Sequence, residues 1–591
     1  MMKKQVYIFF AVLCACAWLC GSVVFTGCAN RGIGPQGGPK DSIPPVPKVS
    51  VPEQGTLNFK GNHIEVTFDE YIQLDNIASN LLMSPPQQTP PEVKARGKKL
   101  MVQFQDTLRD STTYTIDFGS AVCDFREKVP LHGYSFYFST GPEIDTLELR
   151  GRVYDAETLN PVQGVMTGIH SNLADSAFVS SPFLRIAKTD SAGGFRIGNI
   201  HPGTYRLYAL DDISRDYRLT VGESLAFADS LYTVAAPDTA AGDSVKQTVL
   251  FLFKEQQQRL YLQRTLRDKQ HMITVLFSAP PDSLPLFEPL QDSLNCHVQF
   301  SSKADTAVIW LLDSTAIARD SLFFGIRYRR TDSLYRLEWA TDTIRAVWRA
   351  PGLTAKAKEA QERQNRNRRL EIRTNARKTF ELYDTLRLNC TTPLARIDRN
   401  AIHLYERIDT LLKPVSFSLA PYDTLPMKLT CIADLKAGGA YELQLDSGAL
   451  HDVYGITHVA AKYPLQVKAL ADYSTLRVRL KPYEPAARIQ ILDGKDKVVR
   501  ELPAQEDGTF FEYLKPDTYY MRLYLDTDGN GQWTTGSWNL RRQPERVYYF
   551  PGKIQTKSNW DFEEEWDYTA VPQTESKPAG LVTVSSPSKK K

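Results

Sequence analysis

The chain has 591 residues, enough for about four domains of ordinary size, and its 42% hydrophobic and 24% charged residues exclude a disordered, collagen-like or coiled-coil protein. Seventy-one basic against sixty-eight acidic residues leave a formal charge of +3, too small over this length for the basic footprint of a nucleic-acid binder. Thirty-five prolines and thirty-four glycines are spread throughout, which suits many short strands joined by turns.

At the start, Lys3 and Lys4 precede a run from Val6 to Phe25 that is almost without polar side chains, and Phe25-Thr26-Gly27-Cys28 follows. A basic start, an apolar centre and small residues before a cleavage point make a secretory signal. With cysteine next in line, residues 1–27 resemble a bacterial lipoprotein signal peptide and its lipobox, Phe25 replacing the usual aliphatic residue. The resemblance implies that Cys28 becomes the first mature residue and carries acyl chains on its sulfur and its amine. Several such chains, each worth about 0.8 kcal/mol per buried methylene, anchor a protein stably to a membrane. An uncleaved helix is the alternative, because about 20 apolar residues suffice to span a bilayer. Ala29 stands where an inner-membrane retention aspartate would be, so the outer membrane is expected, with the periplasmic or surface face left open. Residues 28–45 read as a flexible tether. Residues 32–38 contain G-x-G-x-x-G, but Pro35 lies within it and no strand precedes it, so no dinucleotide site is expected.

From Val46 onward apolar and polar residues alternate in short runs, the mark of half-buried strands. The runs His63–Phe68, Leu100–Phe104, Tyr114–Phe118 and Phe136–Ser139 predict a β-sandwich of two sheets over 46–141. Residues 145–233 change grammar, through Gly151, Asn160-Pro161, Asp190-Ser191-Ala192-Gly193-Gly194 and His201-Pro202-Gly203-Thr204-Tyr205. That run resembles the carboxypeptidase-regulatory-like domain, a small sandwich akin to transthyretin. The same grammar returns over 473–552, with Asp507-Gly508-Thr509 and Lys515-Pro516-Asp517-Thr518-Tyr519, and predicts a second copy. Tyr114-Thr115-Ile116-Asp117-Phe118 is echoed by Tyr441-Glu442-Leu443-Gln444-Leu445 and more faintly by Phe323–Tyr328, which predicts Ig-like sandwiches over 371–470 and 250–350. Such repetition predicts an extended array of modules. Residues 354–369, rich in lysine, arginine and glutamate, read as a charged helical linker or else a basic dock for phosphate or lipid headgroups. Residues 569–591, ending in three lysines, read as a disordered tail.

The fold class expected is therefore mainly β: tandem Ig-like and transthyretin-like sandwiches after a lipoprotein signal peptide. Cys28-Ala29-Asn30, Gly37-Gly38-Pro39-Lys40-Asp41, Phe68-Asp69-Glu70-Tyr71 and Thr113–Phe118 together resemble the outer-membrane lipoproteins of Bacteroidota that carry an N-terminal bacterial Ig-like domain of the Big_5 type. The resemblance implies outer-membrane anchoring and no established catalysis, and outer-membrane proteins are the expected partners. The recurring Asp-Ser/Thr pairs, as at Asp145-Thr146-Leu147 and Asp423-Thr424-Leu425, resemble the O-glycosylation sequon of that phylum. A strand-ending turn would use the same pair.

No G-x-S-x-G, H-E-x-x-H or P-loop pattern occurs. Asp526-Thr527-Asp528-Gly529-Asn530-Gly531 places oxygen side chains at alternate positions with glycine sixth, so Asp526, Asp528 and Asn530 are candidate calcium ligands. Ser537 at the twelfth position departs from a regular EF-hand, and a tight turn through the glycines is the competing reading. Cys390 and Cys431 fall in one module and are a candidate disulfide, or else two small buried hydrophobes. His451 and His458 are the nearest histidine pair, and Trp533, Trp538, Trp560 and Trp566 offer either packing or a sugar-stacking surface. No cofactor beyond calcium is expected. The function expected is a non-catalytic binding or scaffold subunit of an outer-membrane complex, with glycan binding or adhesion as the alternative.

Overall fold

The computed structural model describes residues 41–235, 248–255, 259–291, 294–332, 336–349, 368–421, 423–581 and 583. Cys28, the signal segment, most of the tether, and residues 354–367 of the expected charged linker lie outside the described residues. Strand makes up 48% of the described residues and helix 4%, and the strands form a succession of β-sandwich modules. Among the described residues no helix is long and apolar enough to cross a membrane. The chain divides into two compact units. The first holds the described residues through Leu147 with Leu184–Ile186 and Gly198–His201, and the second holds the rest.

In the first module the alternation at His63–Phe68 does what its period dictates: Ile64, Val66 and Phe68 are at most 2% exposed while His63 faces solvent. That strand lies between Pro47–Val51 and Lys99–Gln103, with Glu92–Arg96 at the far edge. Opposite it Leu82–Ser84, Thr113–Asp117 and Ser135–Ser139 form a second sheet, and Tyr114, Phe136 and Phe138 fill the space between.

The third and fourth modules, in the second unit, use the same strand order. Leu262–Lys269, Met272–Phe277, Thr306–Leu311 and Cys296–Phe300 make one sheet of the third, and Ile372–Thr374, Leu386–Cys390, Lys428–Ala433 and Phe417–Pro421 one sheet of the fourth. The predicted echo of Tyr114 in Tyr441 has a physical counterpart. Each hydroxyl accepts a hydrogen bond from a backbone N–H five residues upstream, Arg109 at 2.7 Å and Lys436 at 2.8 Å.

The second and fifth modules also match strand for strand. Met166–His170 pairs with Gly203–Leu210, which pairs in turn with Ser224–Phe227 and Tyr232–Val234. In the fifth, Ala487–Leu492 pairs with Thr518–Leu525, which pairs with Val547–Tyr549 and Ile554–Gln555. Both modules close by a return strand running parallel to their first: Thr248–Lys254 beside Leu147–Asp155, and Asp561–Asp567 beside Ser474–Lys481.

Those return strands move two expected boundaries. Thr248–Lys254 belongs to the second module, so the third begins after it, and the fifth extends through Asp567, beyond the expected end at 552. The expected disordered tail is corrected in its described part, since Ser576 and Leu581 are 2% and 5% exposed and pack on the fifth module. Nor do the modules of the second unit touch only their neighbours in sequence: Leu159 of the second shares a buried cluster with Leu492, Tyr524, Val547, Tyr549 and Leu581 of the fifth.

Candidate functional site

The fifth module carries a long excursion, residues 526–546, between the paired strands Thr518–Leu525 and Val547–Tyr549. The excursion docks on the second module. Trp538, 8% exposed, meets Phe178, Tyr208 and Phe227 edge to face, with ring centroids 5.0, 5.7 and 5.6 Å away. The Arg541 guanidinium lies over the Trp538 ring at 3.3 Å and pairs with Asp175. Around this anchor the backbone groups are matched. Thr535 Oγ1 donates to the Lys254 carbonyl at 3.0 Å, the Trp538 N–H to Glu255 at 2.6 Å, and Gln543 Nε2 to the Phe227 carbonyl at 2.9 Å. Gly536 is required here, because a Cβ would stand 2.5 Å from the Phe253 ring.

At the neck of the excursion Asp526, Asp528 and Glu545 each offer a carboxylate oxygen within 4.8 Å of the others, the one such acidic group among the described residues. Glu545, 6% exposed, accepts from the Thr527 N–H at 2.6 Å and the Thr534 N–H at 2.9 Å. Asp526 Oδ2 accepts from the Gly531 N–H at 2.9 Å, while its Oδ1 is sealed from solvent and receives no hydrogen bond. Asp528 is held below the usual carboxylate range, chiefly by the Thr534 hydroxyl, and Arg542 lies 3.8 Å from it. Hard oxygen ligands of this kind suit calcium. Asp526 and Asp528 of the expected trio stand together with Glu545 from across the loop; the Asn530 amide donates to Thr534 Oγ1 at 2.6 Å and its oxygen accepts from the Gln532 N–H.

The second module holds a reduced version of the same loop. Its Glu223, 5% exposed, accepts from the Ser214 and Thr220 N–H groups, and Asp212 accepts from those of Asp216 and Tyr217. Burial raises Asp212, and the Glu223 charge adds to this. A glutamate just before the next strand, in Gly222-Glu223 and Pro544-Glu545, was the sequence signal for the missed residue.

Below the aromatic anchor runs a buried polar contact between the same two modules. Arg522 donates to the Gln490 side chain and lies 3.4 Å from Glu157, and Lys577 reaches Thr158 and Asn160.

The candidate disulfide is corrected. Cys390 and Cys431 are both buried free thiols on neighbouring strands. The register sets Cys431 opposite Leu386, four residues from Cys390, a separation of roughly 13 Å along the sheet. A disulfide needs Cα atoms about 4.4–6.8 Å apart. Burial pushes both thiols up to about 12, so they are protonated hydrophobes of the core. His458, 3% exposed, accepts from the Leu450 N–H, and His451 sits on the strand Leu450–Asp452; neither joins the acidic group. Trp533 donates to the Glu545 carbonyl at 2.9 Å, Trp566 lies in the core, and Trp560 is 56% exposed.

These features define a protein of tandem Ig-like β-sandwich modules. Residues 41–140 match the family model described as a bacterial Ig-like domain, Big_5. No curated protein matches the chain. Among solved structures, the chain is similar to the S-layer protein rSbsC(31-844), at 12% identity and a TM-score of 0.13, covering 82% of this chain and 64% of that one. A variant of BcpA, the major pilin subunit of Bacillus cereus, matches at 9% identity and a TM-score of 0.11 over 71% of this chain and all but 1% of its own. The protocadherin GammaB4 extracellular domain matches at 7% identity and a TM-score of 0.13, over 86% and 83%. The chain thus spans under two thirds of the S-layer protein it matches.

Proposed function

We propose that this protein is a lipid-anchored scaffold of the outer membrane, held by acyl chains on Cys28 and serving as a non-catalytic subunit of a larger outer-membrane assembly. The reading rests most on the docking of the fifth module onto the second through Trp538. A loop that locks two modules against each other makes a stiff support from units that would otherwise pivot on short linkers. The lipobox-like Phe25–Cys28 supplies the attachment, and residues 28–45 supply reach. Calcium at Asp526, Asp528 and Glu545 would stiffen the neck of the docking loop.

The test is recovery of the tagged full chain from detergent-solubilised membranes. The scaffold reading expects outer-membrane proteins in stoichiometric amounts, and expects Cys28→Ala to release the chain into the soluble fraction. A monodisperse chain with no partner and unaltered membrane residence of the variant would overturn it.

A second reading, glycan binding, is favoured by one observation: Trp560 is exposed, lies 6.2 Å from Phe562 with the rings 26° from parallel, and has Lys557 over its face. Trp560→Ala would then abolish binding on a glycan array.

A further inference from the structure

Lys577 occupies an unusual position for a lysine. Its side chain is 10% exposed, and its Nζ lies within hydrogen-bond distance of four oxygens, the Thr158 carbonyl at 2.7 Å, Asn160 Oδ1 at 2.8 Å, Thr583 Oγ1 at 2.8 Å and Asp496 Oδ2 at 3.0 Å. The Asp496 side chain is 0% exposed and also accepts from the Tyr549 hydroxyl at 3.1 Å and from Thr583 Oγ1 at 2.5 Å. The Tyr549 ring lies against Nζ at 4.9 Å. Burial pushes the Lys577 amine below the usual lysine range, against the raising effect of Asp496. A desolvated amine in contact with a carboxamide, with a buried carboxylate touching the same nitrogen, has the components of an acyl transfer.

We infer that Lys577 and Asn160 become joined by an isopeptide bond in the folded protein, with Asp496 as the proton carrier. Nζ gives one proton to Asp496, and its freed lone pair attacks Cγ of Asn160. The Cγ–Nδ2 bond then breaks, Nζ gives up a second proton, and both protons pass to the departing nitrogen. It leaves as ammonium, Asp496 returns to the carboxylate, and a Cγ–Nζ amide remains. The step needs no oxidant or cofactor. Asn160 is half-buried rather than sealed, which leaves the ammonium a way out. Pro161 follows Asn160 and has no backbone N–H, so cyclisation to a succinimide, the other route by which asparagine loses ammonia, is blocked at this position. The bond would tie the second module to the segment that ends the described fifth module, making covalent a contact otherwise held by packing and hydrogen bonds.

The test is mass spectrometry of the purified full chain, intact and after digestion. The expected intact mass is lower than the sequence mass by one ammonia, and the digest yields a branched peptide joining the segments that contain Asn160 and Lys577. Lys577→Arg, which keeps the cation, and Asp496→Ala each restore the full mass. Linear peptides from the native protein, with Asn160 and Lys577 both carrying unmodified side chains, would overturn the inference. That measurement needs no variant to fold.

Discussion

Trp538 and Phe178 meet edge to face at 5.0 Å, one from the loop of the fifth module and the other from a short helix of the second. The contact is the centre of the docking surface, since Tyr208, Phe227 and Arg541 all touch the same indole. Trp538→Ala removes a buried aromatic with no small residue positioned to fill the space, and a cost of about 3–5 kcal/mol is expected. Urea unfolding should then separate into more than one transition, and protease should cut within 526–546. Leu540, 72% exposed on the same loop, is the control. Leu540→Ser should change stability by less than about 0.5 kcal/mol.

Asp526 Oδ1 has neither solvent nor a donor, and two further carboxylates stand within reach of it. A divalent cation would supply the missing partner. Calcium should therefore raise the melting temperature of the full chain and a chelator lower it, with a stabilisation of about 2.7 kcal/mol at a hundredfold excess over the dissociation constant. Asp526→Asn and Glu545→Gln should each abolish the response. Identical melting curves with and without calcium would remove the site.

Cys390 and Cys431 are predicted to behave as core hydrophobes. A thiol reagent should label neither until the protein unfolds, and reductant should leave the melting temperature unchanged. Cys431→Val should be mild, while Cys431→Ser should cost about 1–3 kcal/mol by burying a hydroxyl in the apolar core, on a strand where Leu386 and Leu419 stand opposite it. A melting temperature that falls in reductant would mean that the register is not the one described.

Much of this fold can be read from the chain because strand alternation is local. Ile64, Val66 and Phe68 announce their own burial, and Tyr114 and Tyr441 announce a shared module through residues a few positions apart. The return strands escaped because a parallel pairing has no turn to betray it: Thr248 pairs with Gly151 across an entire module. Glu545 escaped for a similar reason, since the Asp526–Gly531 motif points forward along the loop while its closing acid stands at the far end. Pairing Cys390 with Cys431 failed on register, which a sequence does not print; a shift of four residues keeps both thiols on one face and still parts them.

His170 gives the molecule an acid limit that can be measured. Its side chain is 4% exposed, packed between the rings of Phe183 at 5.2 Å and Tyr208 at 5.8 Å, and its Nε2 receives no hydrogen bond. Burial lowers its pKa from the ordinary 6.5 to about 4. Between those two values the unfolded chain binds a proton that the folded chain does not, so stability rises with pH through this window and is lost on acidification. The loss is on the order of 3 kcal/mol when the window is crossed completely. His271 is lowered to about 4 as well, by burial first and then by the charges of Arg368 and Lys269, and it contributes with the same sign. Glu381 adds its own loss only further down: burial raises it, but hydrogen bonds from Lys515, Tyr473 and Lys468 outweigh this and hold it below its usual value. Urea titrations between pH 7 and pH 4.5 should therefore show a falling midpoint, and His170→Leu, close in volume and unable to titrate, should remove part of the slope and leave the share of His271. A variant slope equal to that of the parent chain would place the acid sensitivity elsewhere.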